Sequence, residues 1–302
     1  MAQGYPYKPV RIIVPYPPGG ATDILARLLA AKFSESLGEP FIAEQRPGAA
    51  GAIGAELAAH AVPDGYTLWV GQASNLAINQ HLVKKLPYDA LKDFTPISRV
   101  AISPSLLVVH PSLPVRSIKD LIALARAKPG AISYASAGSG SPGLLAAEYF
   151  KKLAHIDMVH IPYKGASPAL VDVIAGHAQL YFTSPVSAQP HVRTGQVRQI
   201  AVTSAKRFPP LPDVPTLAEA GFPAFDISSW WGLLAPAGLP REIVSRLHAE
   251  TLKAVDTADM RERLAAQGVL VATNTPEQFA AYVRGEIANW GRIVAASGAH
   301  TD

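Results

Sequence analysis

The segment Val10-Arg-Ile-Ile-Val-Pro-Tyr16, followed by Pro17-Pro-Gly-Gly20 and Ala21-Thr-Asp23, decides the fold class. A near-continuous apolar run reads as a strand covered on both faces. The glycine turn after it opens a helix, because Ile24, Leu25, Leu28, Leu29 and Phe33 recur at helical spacing. The same order returns in the second half: Ile132-Ser-Tyr-Ala-Ser136, then Ala137-Gly-Ser-Gly-Ser141, then a helix over 142–153. A helix N-terminus presents unpaired N–H groups and the positive end of the macrodipole, so it attracts anions. Two such ends, one in each half, predict a clamp for a small anion.

Working outward, strands are predicted at 40–44 and 67–71, with helices at 51–61 and near 76–82; Pro63-Asp-Gly65 marks a turn. The second half places strands at 106–110, 132–135, 158–163, 179–183 and 198–203, alternating with helices at 117–127, 142–153, 167–174 and 186–194. This βαβ rhythm predicts an α/β fold with a parallel sheet. After Pro209-Pro-Leu-Pro-Asp213 the rhythm changes. Capping boxes at Thr216-Leu-Ala-Glu219 and Thr275-Pro-Glu-Gln278 open helices. Helices are also read at 240–255 and 258–267, with a short strand at 269–272. This last segment has no sheet of its own. The expected division is therefore a discontinuous first lobe, 1–103 with 230–302, and a second lobe, 104–229. Two segments, 100–106 and 228–234, would cross between them.

A length of 302 residues with 49% hydrophobic content suits two cores. The net charge of +4 is spread without basic blocks, which argues against a nucleic-acid partner. With no Cys there are no disulfides, thiolate metal sites or Cys nucleophiles. The nine His show no His-Glu-x-x-His and no other metal-ligand spacing, so no metal is expected. The opening Met1-Ala-Gln-Gly-Tyr-Pro has no charged n-region or apolar h-region. Either the protein is cytoplasmic or a signal peptide has been replaced at Met1.

Gly138-Ser-Gly-Ser-Pro-Gly143 matches G-x-G-x-x-G between a strand and a helix, with Asp157 further on. Three readings stand: a dinucleotide site, an anion-binding loop, or a structural turn. Pro142 inside the motif and the hydroxyls of Ser139 and Ser141 favour the anion loop, so no cofactor is expected. Ligands of open α/β sheets bind outside the carboxyl ends of strands. By that rule Gln72, Ser74, Tyr163, Lys164, Thr183 and Ser184 are candidate site residues. An enzyme remains the alternative, either a hydrolase or an NAD-dependent oxidoreductase using the loop Gly138 to Gly143. No Gly-x-Ser-x-Gly elbow supports it.

In order and spacing, Tyr5-Pro-Tyr-Lys-Pro-Val-Arg11, Val14-Pro-Tyr-Pro-Pro-Gly-Gly-Ala-Thr-Asp23, Arg46-Pro-Gly48 and Tyr88-Asp-Ala-Leu-Lys-Asp-Phe-Thr-Pro-Ile97 make a family pattern. Tyr134-Ala-Ser-Ala-Gly-Ser-Gly-Ser141, Pro162-Tyr-Lys-Gly165, Leu211-Pro-Asp-Val-Pro-Thr-Leu-Ala-Glu-Ala-Gly221 and Trp231-Gly-Leu-Leu-Ala-Pro-Ala-Gly238 complete it. The whole chain resembles the Bug-type extracytoplasmic solute receptors of tripartite tricarboxylate transporters. The resemblance implies a periplasmic-binding-protein-like fold of type II, with two α/β lobes and a ligand cleft, and the two crossing segments predict closure by hinge bending. It implies capture of a small carboxylate (an amino acid, a di- or tricarboxylate or an aromatic acid) without catalysis. A periplasmic location, delivery to the membrane components of the transporter and a monomeric state follow.

Carried over to this sequence, the first jaw is Tyr16, Gly20, Ala21, Thr22 and Asp23; the second is Ser136, Ala137, Gly138, Ser139, Gly140 and Ser141. Asp226 joins the candidate selectivity residues. Three positions depart from the family: Gln45 for the usual Asn, Ala50 for a usual Gly, and Leu144 where His is common. The first two read as packing changes, and Leu144 falls at the start of the pocket helix.

Overall fold

The computed structural model describes residues 4–138, 140–266 and 268–297. The chain forms two compact units, one of Met1–Ile102 with Trp230–Gly291 and one of Ser103–Ser229 with Arg292–Asp302.

The first unit is organised by β1 (Val10–Val14), whose Val10, Ile12, Ile13 and Val14 are all buried. The glycine turn follows it, and α1 (Ala21–Leu37) then presents Leu25, Ala26, Leu29, Ala30 and Phe33 to the core. Helix α1 stops at Gly38, whose left-handed backbone (φ 79) returns its N–H to the Ser34 carbonyl. Next come β2 (Phe41–Gln45), α2 (Ala52–Ala59) and β3 (Thr67–Gln72). A π-turn, Ser74–Ile78, leads into the short α3 (Asn79–Leu82), where an ordinary helix is predicted from sequence. The long strand β4 (Phe94–Pro104) escapes the sequence reading: Pro96 interrupts it, and its burial does not alternate cleanly.

Late in the chain, β10 (Ser228–Pro236), α8 (Arg241–Val255), α9 (Ala258–Ala266), β11 (Leu270–Val271) and α10 (Pro276–Ser297) follow. The sheet order is β11-β4-β10-β3-β1-β2. Strands β2 and β3 flank β1 in parallel, and β10 runs antiparallel to β3 with Trp231 opposite Gln72. One core joins Ile12, Leu25, Leu29, Phe33, Val70, Trp231, Leu247 and Met260.

The second unit holds β5 (Leu106–Val109), α4 (Ile118–Ala127), β6 (Ser133–Ser136), α5 (Pro142–Ala154) and β7 (Val159–Pro162). It continues with α6 (Ala166–Ile174), β8 (Leu180–Thr183), α7 (Pro185–Arg193) and β9 (Arg198–Val202). Its sheet order is β7-β6-β8-β5-β9. The sheet is mixed, which corrects the parallel expectation: β5 is antiparallel to both β8 and β9.

Candidate functional site

In the first unit the predicted residues gather where β1, β2 and β3 end. Gly20 caps α1 with extended backbone and no side-chain cap. The N–H groups of Ala21 and Thr22 lie in the first turn, where a helix supplies no internal acceptor. Asp23 is buried and organises the turn. Its carboxylate accepts the Gly19 N–H at 3.0 Å, Arg27 Nε at 3.0 Å and Gln45 Nε2 at 2.5 Å. Burial pushes its carboxyl upward, but these hydrogen bonds outweigh burial and hold it below the ordinary carboxylate range. Gln45 is thus a support of the turn, not a packing change.

Thr22 is also buried and engaged. Its hydroxyl donates to Gln72 Oε1 at 3.1 Å and accepts from Trp231 Nε1 at 2.9 Å. Burial pushes the Tyr16 phenol up to about 12, against the opposing hydrogen bonds of Gln72 and Ser74. Its hydroxyl donates to the Ala50 carbonyl at 3.4 Å, and Asn79 Nδ2 donates to the same oxygen at 3.2 Å. Ala49 and Ala50 have φ of 46° and 52°, in the left-handed region that costs an L-residue with a Cβ. Ala50 therefore differs from glycine in backbone strain more than in packing. The π-turn buries Asn75 completely, and its Oδ1 accepts the Gln72 N–H at 2.9 Å. π-turns recur at functional sites because they re-aim side chains at an element's end.

In the second unit β6, β7 and β8 are parallel, so Ser136, Tyr163 with Lys164, and Thr183 with Ser184 share one edge of the sheet. Ser139 lies outside the described residues. Gly138 and Gly140 take φ of 106° and 70°. Ser141 caps α5 by accepting the Leu144 N–H at 3.4 Å, and Pro142 follows at the first helical position. The Tyr163 N–H donates to the Ser136 carbonyl and the Gly165 N–H to that of Ala137, at 3.0 and 3.2 Å, so the turn rests on the end of β7.

Several predicted side chains already have partners. Ser136 is fully buried, accepts the Gly138 N–H at 3.2 Å and lies 2.6 Å from His160 Nε2. Tyr163 donates to Asp172 Oδ2 at 2.7 Å; burial, then this bond, push its phenol up to about 12. Asp226 accepts the Ala205 N–H at 3.1 Å, beyond the end of β9. Thr183 is buried, while Lys164 and Ser184 are exposed. Gly143, the last glycine of the dinucleotide-like motif, packs helix on strand: a Cβ there would collide with the Phe182 carbonyl oxygen. Among the described residues no group of three His, Asp or Glu is placed to hold a metal.

The family comparison fits this arrangement. The model of the tripartite tricarboxylate transporter family receptor matches residues 25–299. The chain belongs to this receptor family. Protein BugT of Bordetella pertussis is 37% identical to the receptor over 299 residues, covering 99% of this chain and 92% of BugT. R. palustris Rpa4515, solved with adipate, is 36% identical with a TM-score of 0.84, covering 98% of the receptor and 100% of that chain. MatC (Rpa3494) from Rhodopseudomonas palustris, solved with bound malate, is 34% identical with a TM-score of 0.78, covering 96% and 100%. The protein is a receptor and not an enzyme.

Sequence reasoning passed over four residues of these turns: Gln45, Asn75, His160 and, as a hydrogen-bond donor, Trp231. Gln45, His160 and Trp231 act through partners distant in the chain, so no local motif marks them, whereas Asn75 acts through Gln72 three residues before it, in a π-turn read from sequence as an ordinary helix.

Proposed function

We propose that this receptor captures a small dicarboxylate in the periplasm and delivers it to the membrane components of a tripartite tricarboxylate transporter. The observation that carries the reading is the first turn of α1, which its N-cap Gly20 leaves without a side-chain cap. Ala21 and Thr22 present backbone N–H groups there, while the Asp23 carboxylate is paired with Arg27 and held by the Gly19 N–H and the Gln45 amide. An oriented N–H pair at a helix start suits a carboxylate. The solution of Rpa4515 with adipate and of MatC with malate supports a dicarboxylate in particular. A receptor of such a transporter meets its solute outside the cytoplasmic membrane, which supports the periplasm.

In this reading the turn of Gly20, Ala21 and Thr22 in the first unit is a carboxylate-binding element, and so is the turn of Ala137, Gly138, Gly140 and Ser141 in the second. Tyr16, Gln72 and Ser74 in the first unit, and Tyr163, Thr183, Ser184 and Asp226 in the second, shape selectivity. Thr22, Asp23 and Ser136 contribute by holding the turns. Lys164, exposed just after β7, contributes little. The receptor works as a single chain, which light scattering checks.

A thermal-shift panel of adipate, malate, citrate, aspartate and benzoate tests the reading. A true solute at 100 times its dissociation constant adds about 2.7 kcal/mol of stability, so a clear rise in melting temperature with adipate or malate is expected. A flat response to every acid at 10 mM would sink it.

A further inference from the structure

The hydroxyl of Ser136 sits at the root of the second turn and has one hydrogen to donate. Its oxygen already accepts the Gly138 N–H. Neutral His160 with its proton on Nδ1 offers Nε2 as an acceptor, and the Ser136 hydrogen goes to that nitrogen, 2.6 Å away on the edge strand β7.

The surroundings favour this form. Tyr134 and Ser136 face His160 from β6, and Glu148 and Lys151 face it from α5. The Tyr134 ring stacks on the imidazole with centroids 5.0 Å apart. The Tyr134 hydroxyl donates to Glu148, which also pairs with Lys151 at 2.9 Å. The Glu148 charge is thus balanced by its own partners. Burial dominates and pushes the imidazole below its ordinary range, with Glu148 and Lys151 acting in opposite senses.

We propose that His160 is a positioning residue for solute binding: through Ser136 it holds the Gly138 turn, and a proton on its ring loosens that hold. The proposal rests on reading this turn as a carboxylate-binding element. Protonation converts Nε2 from acceptor to donor. Nε2 then donates to the second lone pair of Ser136 Oγ, beside the Gly138 N–H, and the Ser136 hydrogen loses its acceptor and must turn elsewhere. The geometry that presents the N–H groups of the turn is no longer uniquely satisfied, so affinity falls on acidification. A periplasmic receptor would meet such changes directly, since that compartment follows the outside pH.

The test has two arms. In the solute-free protein, NMR follows the His160 ring and the Gly138 amide from pH 8 to pH 5. The Gly138 amide is expected to titrate together with His160, and Ser136→Ala is expected to uncouple them. In the second arm, calorimetry measures adipate and malate binding to the wild type, His160→Phe and His160→Gln. Removing the acceptor in His160→Phe, which keeps an aromatic ring on Tyr134, should weaken binding about tenfold at pH 8. His160→Gln restores a non-titrating acceptor. It should recover most of that loss and respond less to acid than the wild type, which corrects for titration of the acids themselves.

A Gly138 amide indifferent to His160 overturns the proposal. So does tighter wild-type binding in acid relative to His160→Gln, because His160 would then act by charge. A His160→Gln protein no better than His160→Phe also overturns it. If neither acid binds at any pH while the amide and ring titrate together, the dicarboxylate reading fails and the hold of His160 on the turn stands. If His160→Phe does not fold, the NMR arm and His160→Gln decide.

Discussion

Trp231 on β10 donates its indole N–H to the hydroxyl of Thr22, 2.9 Å away in the first turn of α1. The same hydroxyl donates to Gln72 at the end of β3, directly opposite Trp231 in the sheet register. One oxygen therefore ties two strands to the helix start that presents the N–H groups. Thr22 matters as a joint, whatever it also does toward solute.

Thr22→Val keeps the shape and removes the joint. It leaves the buried Trp231 N–H and the half-buried Gln72 oxygen without their partner, at about 1–3 kcal/mol for the first and about 1 kcal/mol for the second. Urea denaturation should report a loss of roughly 2–4 kcal/mol, whereas Thr22→Ser should lose under about 1.5 kcal/mol, by deletion of a methyl alone. Equal losses for both variants would mean that the methyl, and not the hydroxyl, is what the site needs.

Ala21→Pro deletes a single N–H at the first helical position, where proline is tolerated. The preceding Gly20 has φ −83° and ψ 168°, a conformation compatible with a following proline. The variant should melt near the wild-type temperature and bind adipate or malate about tenfold more weakly, equivalent to about 1.4 kcal/mol. Undiminished affinity in calorimetry would remove the α1 turn from the binding mechanism.

Stability in acid should depend on Asp23. Its folded carboxyl lies below the unfolded value, because donors from Gly19, Arg27 and Gln45 outweigh burial. A depressed carboxyl contributes stability that is fully present above the unfolded value, about 3.9, and is lost as pH falls through the lower folded value. Asp23→Asn should cost about 2 kcal/mol near pH 7 through the lost charge-assisted bonds. Its stability should also fall less steeply than wild type below about pH 4. Denaturant titrations from pH 3 to 7 check both the size and the slope.

Ala50→Gly should stabilise the protein by up to about 1 kcal/mol. Ala50 sits at φ 52° beside Ala49 at φ 46°, and a left-handed L-residue costs roughly 1–2 kcal/mol, part of which the flexible unfolded glycine chain cancels. Its carbonyl, which holds Tyr16 and Asn79, is unchanged by the substitution. A higher melting temperature for Ala50→Gly and a lower one for Ala50→Val are the expected pair.

Much of this protein was legible in the chain itself. The apolar run at Val10 to Val14, the glycine turns before α1 and α5, and the cap at Ser141 depend on neighbours in sequence. Backbone sterics, capping and hydrophobic period are local physics, so they are written in consecutive residues. The order of family motifs was legible for the same reason, and it identified a receptor. The tertiary structure alone decided which hydroxyls are already engaged. Thr22 answers to Trp231, Asp23 to Gln45, Tyr163 to Asp172 and Ser136 to His160. Except for Tyr163 and Asp172, nine residues apart, these partners meet only when segments distant in the chain are brought together by the sheet. The reversed β5 belongs to the same class, because strand direction is set by how the chain enters the sheet and not by the composition of the strand.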